Sequence, residues 1–131
     1  MAEEMIEIAE RMAAAFDEGD WSVGEALCSD EVEAQAPAGW PEGEDAEGWP
    51  AARRQFERLK DSWEDDRLEV DSTEEASPET VLQHGHWRGR GKGSGIDVDL
   101  ETWIVYRFAG GKVSRLEFYL DREQAMRAVG R

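Results

Sequence analysis

The sequence predicts one α+β domain in which helices pack on one face of a curved antiparallel sheet. Three observations carry this reading. Apolar residues recur at helical spacing up to about Trp63, the period falls to two from Leu68 onward, and turns rich in Gly or Pro separate the alternating runs. Helices first and strands afterwards is the order of an α+β fold, because a regular βαβ alternation would indicate a parallel sheet instead. At 131 residues the chain suits a single domain spanning 1–131, long enough to bury a core.

Met5, Ile8, Ala9, Met12 and Phe16 share one helical face, with Glu3 and Glu4 at the end where the helix dipole favours acids. Gly19 stops this helix. Asp20 can cap a short second helix from about Trp21 to Leu27, which buries Val23 and Leu27 and ends near Ser29 and Asp30. Val32, Ala34 and Ala36 alternate as a short strand, and Pro37 to Asp45 reads as a loop over a rim. A third helix is expected from about Gly48 to Trp63, with Pro50 in its first turn and with Trp49, Ala52, Phe56, Leu59 and Trp63 on one face. Four strands follow, through Leu68 and Val70, Val81 to Trp87, Ile96 to Phe108, and Val113 to Leu120. They should form an antiparallel meander, turned at Ser77-Pro78, Gly89 to Gly95 and Gly110-Gly111. A short helix begun at Asp121 closes the chain, from Arg122 to Val129.

Charge narrows the function. The chain has 15 Lys and Arg against 31 Asp and Glu, a net charge of −16, which repels phosphate backbones and anionic lipid surfaces. No nucleic-acid or membrane partner is expected. The acidic start (Glu3, Glu4, Glu7) is unlike a secretory leader, which carries Lys or Arg, so a cytoplasmic location is expected. The excess acid is uneven: residues 1–75 hold 24 of the 31 acids and 6 of the 15 basic residues. The sheet half is therefore close to neutral. Cys28 is the one cysteine, which leaves no internal disulfide, and Glu25 and Asp30 beside it disfavour a thiolate.

Alternation gives each long strand two faces. Val81, Gln83, Gly85 and Trp87, then Leu100, Thr102, Ile104 and Tyr106, then Leu116, Phe118 and Leu120 form a face apolar enough to receive helices. The opposite face carries Leu82, His84, His86 and Arg88, then Trp103, Val105 and Arg107, then Arg115, Glu117 and Tyr119. Rings mixed with paired charges are typical of interfaces. A homodimer through this outer face, using His84, His86, Trp103, Val105 and Tyr119, is the expected assembly.

Several segments in order resemble the nuclear transport factor 2-like superfamily, in its SnoaL-like branch of polyketide cyclases, ketosteroid isomerases and limonene epoxide hydrolases. They are Ala15-Phe16-Asp17-Glu18-Gly19-Asp20, Ala36-Pro37-Ala38-Gly39, the glycine-rich run from Trp87 to Gly95, and Gly111-Lys112-Val113 leading to Phe118-Tyr119-Leu120-Asp121-Arg122. The resemblance implies a cystatin-like cone: a curved sheet with three helices on its concave face, enclosing a pocket. It does not carry over the known reactions. Where ketosteroid isomerases place a general-base aspartate before proline, this chain has Ala36, and their oxyanion donors fall near Met12 and Ile104, neither of which can donate. The water-activating triad of limonene epoxide hydrolases falls on Gly85, Trp87 and Phe118.

The resemblance thus implies a largely apolar pocket that binds a small apolar or aromatic molecule. Its candidate lining is Met12, Phe16, Trp40, Trp49, Phe56, Trp63, Trp87, Ile104 and Phe118, with Gln83 and Tyr106 as polar groups able to orient a ligand. Packing competes with that role, since burying one such side chain is worth roughly 1.5–3 kcal/mol. The alternative is an isomerase, cyclase or hydrolase with an unfamiliar acid or base, for which Asp30, Gln83, Tyr106 and Tyr119 are nearest. His84 and His86 lie two apart on one strand face and could share an ion with Glu117, but two histidines are a weak metal signal and no metal site is expected. The run Gly89-Arg-Gly-Arg-Gly-Lys-Gly-Ser-Gly95 departs from the P-loop spacing and joins two strands, so it reads as a hairpin end. No cofactor is expected.

Overall fold

The computed structural model describes residues 2–37 and 45–130. Trp40 and most of the predicted rim loop lie outside the described residues. Helix α1 (Ala2–Glu18) ends where Gly19 adopts φ +71°, with Gly19 N–H donating to Phe16 O and Asp20 N–H to Ala15 O. This pair of bonds satisfies the last carbonyls of α1, and glycine tolerates the left-handed backbone. Asp20 then caps α2 (Trp21–Leu27), its carboxylate accepting from Ser22 N–H at 3.2 Å. The buried residue of α2 is Gly24, while Val23 and Leu27, expected to be buried, are only partly covered.

Strand β1 (Cys28–Gln35) and a two-residue β2 (Ala46–Glu47) precede α3 (Trp49–Asp61). The third helix stops two residues before Trp63, which starts β3 (Trp63–Ser77) instead of completing the helical face. Trp63 lies at helical spacing from Leu59, so the sequence pattern alone cannot see the break. Its ring packs 5.0 Å from that of Trp87, centroid to centroid. Strands β4 (Thr80–Gly91), β5 (Asp97–Ala109) and β6 (Lys112–Tyr119) complete the expected antiparallel meander. The sheet order is β2-β1-β6-β5-β4-β3, with β1 parallel to β6. The β2 strand has no pattern of its own, because two residues pair only once β1 is in place. The glycine run is a hairpin end as expected, and its Arg88 and Arg90 pair with Asp99, Glu69 and Asp97 on the flanking strands.

Helices α1, α2 and α3 cover the inner face, where Val81, Trp87, Ile104, Tyr106 and Leu116 join Ala9, Met12, Trp49, Ala52 and Leu59 in the main core. Helix α4 (Arg122–Ala128), capped by Asp121, packs on the outer face. There Ala125 meets Leu82, Trp103 and Val105, with Tyr119, Met126 and Val129 around them. Leu82, Trp103 and Val105 belong to the face on which the sequence placed a dimer contact, and the chain's own last helix packs on that part of it. His84 and His86 stay partly exposed beside it.

One buried carboxylate fastens this outer layer. Glu117, 4% exposed, accepts from Arg107 Nε at 2.6 Å, Arg115 Nε at 3.0 Å and the Tyr119 hydroxyl at 2.6 Å. Arg107 also donates to Ala128 O at the end of α4, and Arg115 reaches Glu33 and Gln35 on β1. Burial pushes the Glu117 carboxyl up, but the Arg107 and Tyr119 hydrogen bonds outweigh it and hold the group below the usual carboxylate range. Burial and the bond to Glu117 raise the Tyr119 phenol to about 12. Among the described residues no helix is long and apolar enough to cross a membrane.

A lowered carboxyl pKa contributes stability that is present above the ordinary glutamate range and lost as pH falls through the folded value. Glu117→Gln is therefore expected to cost about 1–3 kcal/mol at neutral pH. Chemical denaturation at stepped pH checks this: acidification should destabilise the wild type more than the variant, and parallel losses would assign the acid sensitivity elsewhere.

Candidate functional site: an aromatic cavity between helices and sheet

A cavity of about 50 Å³ lies between α1, α2, α3 and the inner sheet face. Of the residues expected to line it, Met12, Phe16, Trp49, Phe56, Ile104, Tyr106 and Phe118 do so. Trp63, Trp87 and Gln83 do not reach the cavity: they sit behind the lining, in the core beneath it. Further lining residues that the sequence reading passed over include Ala13, Trp21, Gly24, Ala34, Gln55, Leu68 and Leu116. Gln55 was detectable, since it follows Ala52 by three residues and precedes Leu59 by four on the buried stripe of α3. Trp21 was not, because the first residue of a short helix faces inward only through the angle at which α2 leaves Gly19.

The rings form one continuous cluster. Phe16 packs edge-on to Trp21, Phe56 and Trp87 at 6.3, 6.1 and 5.8 Å, Trp21 stacks on Phe56 at 6.3 Å, and Trp87 meets Phe118 at 5.8 Å. Such edge-to-face pairs are favoured by the ring quadrupoles. Gly24 has a specific reason to be glycine: a Cβ there would run into the Trp49 ring. The edge of the Trp49 ring can approach α2 this closely only because position 24 lacks a side chain.

The polar groups on the lining are engaged with protein partners. The Tyr106 hydroxyl donates to Gln83 Oε1 at 2.7 Å, and Gln83 Nε2 donates to Thr73 Oγ1 and Ala9 O. Burial raises the Tyr106 phenol far above its ordinary value. Gln55 Nε2 donates to Ala34 O, Gln35 Oε1 accepts from Arg115, Asp20 caps α2, and Glu117 is held by its arginines. Of the acid or base candidates, Asp30 is exposed on β1 away from the lining, and Tyr119 packs with the outer-face cluster, its hydroxyl bonded to Glu117. Cys28 is 1% exposed, and burial, not Glu25 or Asp30, pushes its thiol up to about 12 against a small opposing effect of Lys112.

At the base of the cluster, Trp87 Nε1 donates to Asp66 Oδ2 at 3.0 Å, and Lys60 Nζ pairs with the same oxygen at 2.8 Å. Lys60 also donates to Asp17 O and stands 5.0 Å over the Phe16 ring, while Asp17 accepts from Leu68 N–H at 2.8 Å. These charges bind elements together and none of them lines the cavity.

Comparison with solved structures places the fold. An NTF2-like protein of unknown function from Burkholderia pseudomallei is similar over 100% of both chains at 21% identity, with a TM-score of 0.80. A putative SnoaL-like polyketide cyclase from Jannaschia sp. CCS1 is similar over 98% of this chain and 92% of its own, at 16% identity and a TM-score of 0.81. TerC, co-crystallised with polyporic acid, is similar over 98% and 99% at 18% identity and a TM-score of 0.78. No curated protein matches the chain significantly. The profile of the SnoaL-like domain matches residues 9–116, from the middle of α1 to the inward-facing Leu116 of β6, and the chain is therefore a member of the SnoaL-like domain family, within the NTF2-like superfamily.

Proposed function

We propose that the chain binds a small apolar or aromatic molecule in the cavity between the three helices and the sheet, without acid–base chemistry there. The observation that carries this reading is the lining: rings and aliphatic groups predominate, and the polar side chains among them, Tyr106, Gln55, Gln35, Asp20 and Glu117, are already bonded to protein partners. A general acid or base must reach substrate with a transferable proton at a suitable pKa. The Tyr106 phenol holds its proton against Gln83, and the positions where related enzymes keep a base or an oxyanion donor carry Ala36, Met12 and Ile104.

A cavity of about 50 Å³ is small beside the roughly 300–1,000 Å³ that encloses a drug-sized ligand. The ligand is accordingly either only a few atoms across or admitted by rotation of the rings at the mouth, among which Trp21 and Phe56 are partly exposed. Support for a larger guest comes from TerC, which was crystallised with polyporic acid. The second reading, an isomerase, cyclase or hydrolase of apolar substrates, draws on the polyketide cyclase name of the Jannaschia protein.

Thermal-shift screening with aromatic polyketides, terpenoids and steroids tests the first reading, with Trp fluorescence as an independent signal from Trp21 and Trp49. A ligand at a hundred times its Kd should stabilise the fold by about 2.7 kcal/mol. Ala34→Leu fills the cavity at a cost of about 1–3 kcal/mol and should abolish both signals while the protein still melts cooperatively. A screen in which no compound moves either signal would remove the proposal.

Tyr106→Phe separates the two readings. Loss of the bond to Gln83 should lower stability by about 1–3 kcal/mol with ligand affinity changed less than about threefold. If turnover of any ligand is found and this variant abolishes it, the tyrosine is an acid and the enzyme reading stands.

A further inference from the structure

We propose that Asp71, His84 and His86, on the outer face of the sheet, form a binding site for a divalent transition-metal ion with zinc-like ligand preferences. His86 Nε2 lies 3.4 Å and His84 Nδ1 3.9 Å from Asp71 Oδ2, and the three ligand atoms are all within 4.8 Å of one another. Two metal bonds of about 2.0–2.1 Å in tetrahedral geometry separate ligand atoms by roughly 3.3–3.4 Å. The cluster is therefore close to the size that one ion requires. The sequence offered Glu117 as third ligand, but Glu117 is engaged by Arg107, Arg115 and Tyr119, and the third group comes from β3 instead.

The surroundings distinguish this cluster from a chance meeting of exposed acids. The nitrogen of each imidazole that faces away from Asp71 is held by a carboxylate: His84 Nε2 by Glu101 at 2.7 Å and His86 Nδ1 by Asp99 at 2.8 Å. Carboxylates in that position orient the ring and fix its tautomer in histidine metal sites. Asp99 is itself clamped by Arg88, which also pairs with Glu69, and the His84 ring stacks on Trp103 at 5.2 Å. A neutral imidazole has one N–H, so a ring with a carboxylate at each nitrogen sets one lone pair against an anion. A second ring proton relieves each ring singly, whereas one divalent cation among the three groups relieves both at once.

The backbone is shaped to make the cluster. Val70 pairs with Gly85 and Ser72 with His84, which makes Asp71 the extra residue of a β-bulge in β3. Bulges re-aim side chains, and this one delivers Asp71 between the two histidines. The bulge brings β3 so close that a Cβ on Gly85 would collide with the Glu69 carbonyl. The glycine of His84-Gly85-His86 is thus a requirement of the strand approach that sets the ligand spacing.

Calorimetric titration of the untagged, chelator-treated chain with zinc chloride tests the site, with melting curves confirming the fold of each variant. One ion per chain is expected, with no heat from magnesium. His84→Gln, His86→Gln and Asp71→Asn should each abolish the transition, and Glu101→Gln and Asp99→Asn should weaken it about 10- to 100-fold. Cobalt in place of zinc should give a visible absorption band that the His86→Gln variant lacks. Failure of the wild type to bind zinc, or equal affinity in the folded His84→Gln/His86→Gln double variant, would overturn the proposal and assign any uptake to the acidic surface. The site lies on the face of the sheet opposite the cavity, so neither outcome bears on ligand binding there.

Discussion

The fold hangs on one buried ring. Trp87 has no exposed surface, packs against Phe16 of α1, Trp63 of β3 and Phe118 of β6, and gives its N–H to Asp66. Burying indole requires a partner for that N–H, and an aspartate so placed requires a cation; Lys60 at the end of α3 supplies it and continues to the Asp17 carbonyl. The helices are thus attached to the sheet by a polar chain running beneath an apolar cluster. The hydrophobic term supplies most of the stabilisation, and the polar chain determines where α1 and α3 end relative to β3.

That arrangement has a consequence for the site. Because the charges are used at the base, the remaining space between helices and sheet is walled by rings and small aliphatic groups, and the polar side chains that reach it are tied down as scaffold. The outer face follows the opposite rule. There histidines, acids and arginines lie in cross-strand ladders, and α4 covers only the portion around Trp103 and Val105.

The helices and the meander could be read locally because their signals are local. A stretch of apolar residues at 3.6 spacing, ended by Gly19 and restarted at the Asp20 cap, predicts α1 and α2 whatever the rest of the chain does. The same reasoning failed at Trp63, which satisfies the helical period of α3 and yet belongs to β3. On the outer face the same pattern did not announce α4, the short helix that packs on Leu82, Trp103 and Val105. Amphipathic strands state that a face is covered without stating by what.

The sequence by itself determined the class of the fold and the inner and outer faces of each long strand, since these depend on periodicity and residue type. The tertiary structure alone decided that Trp63, Trp87 and Gln83 sit behind the cavity, that α4 closes the outer face, and that Asp71 meets two histidines. Those outcomes depend on where a helix breaks, at what angle an element docks and whether a strand carries one extra residue. Each is settled by packing between segments far apart in the chain, which local pattern does not record.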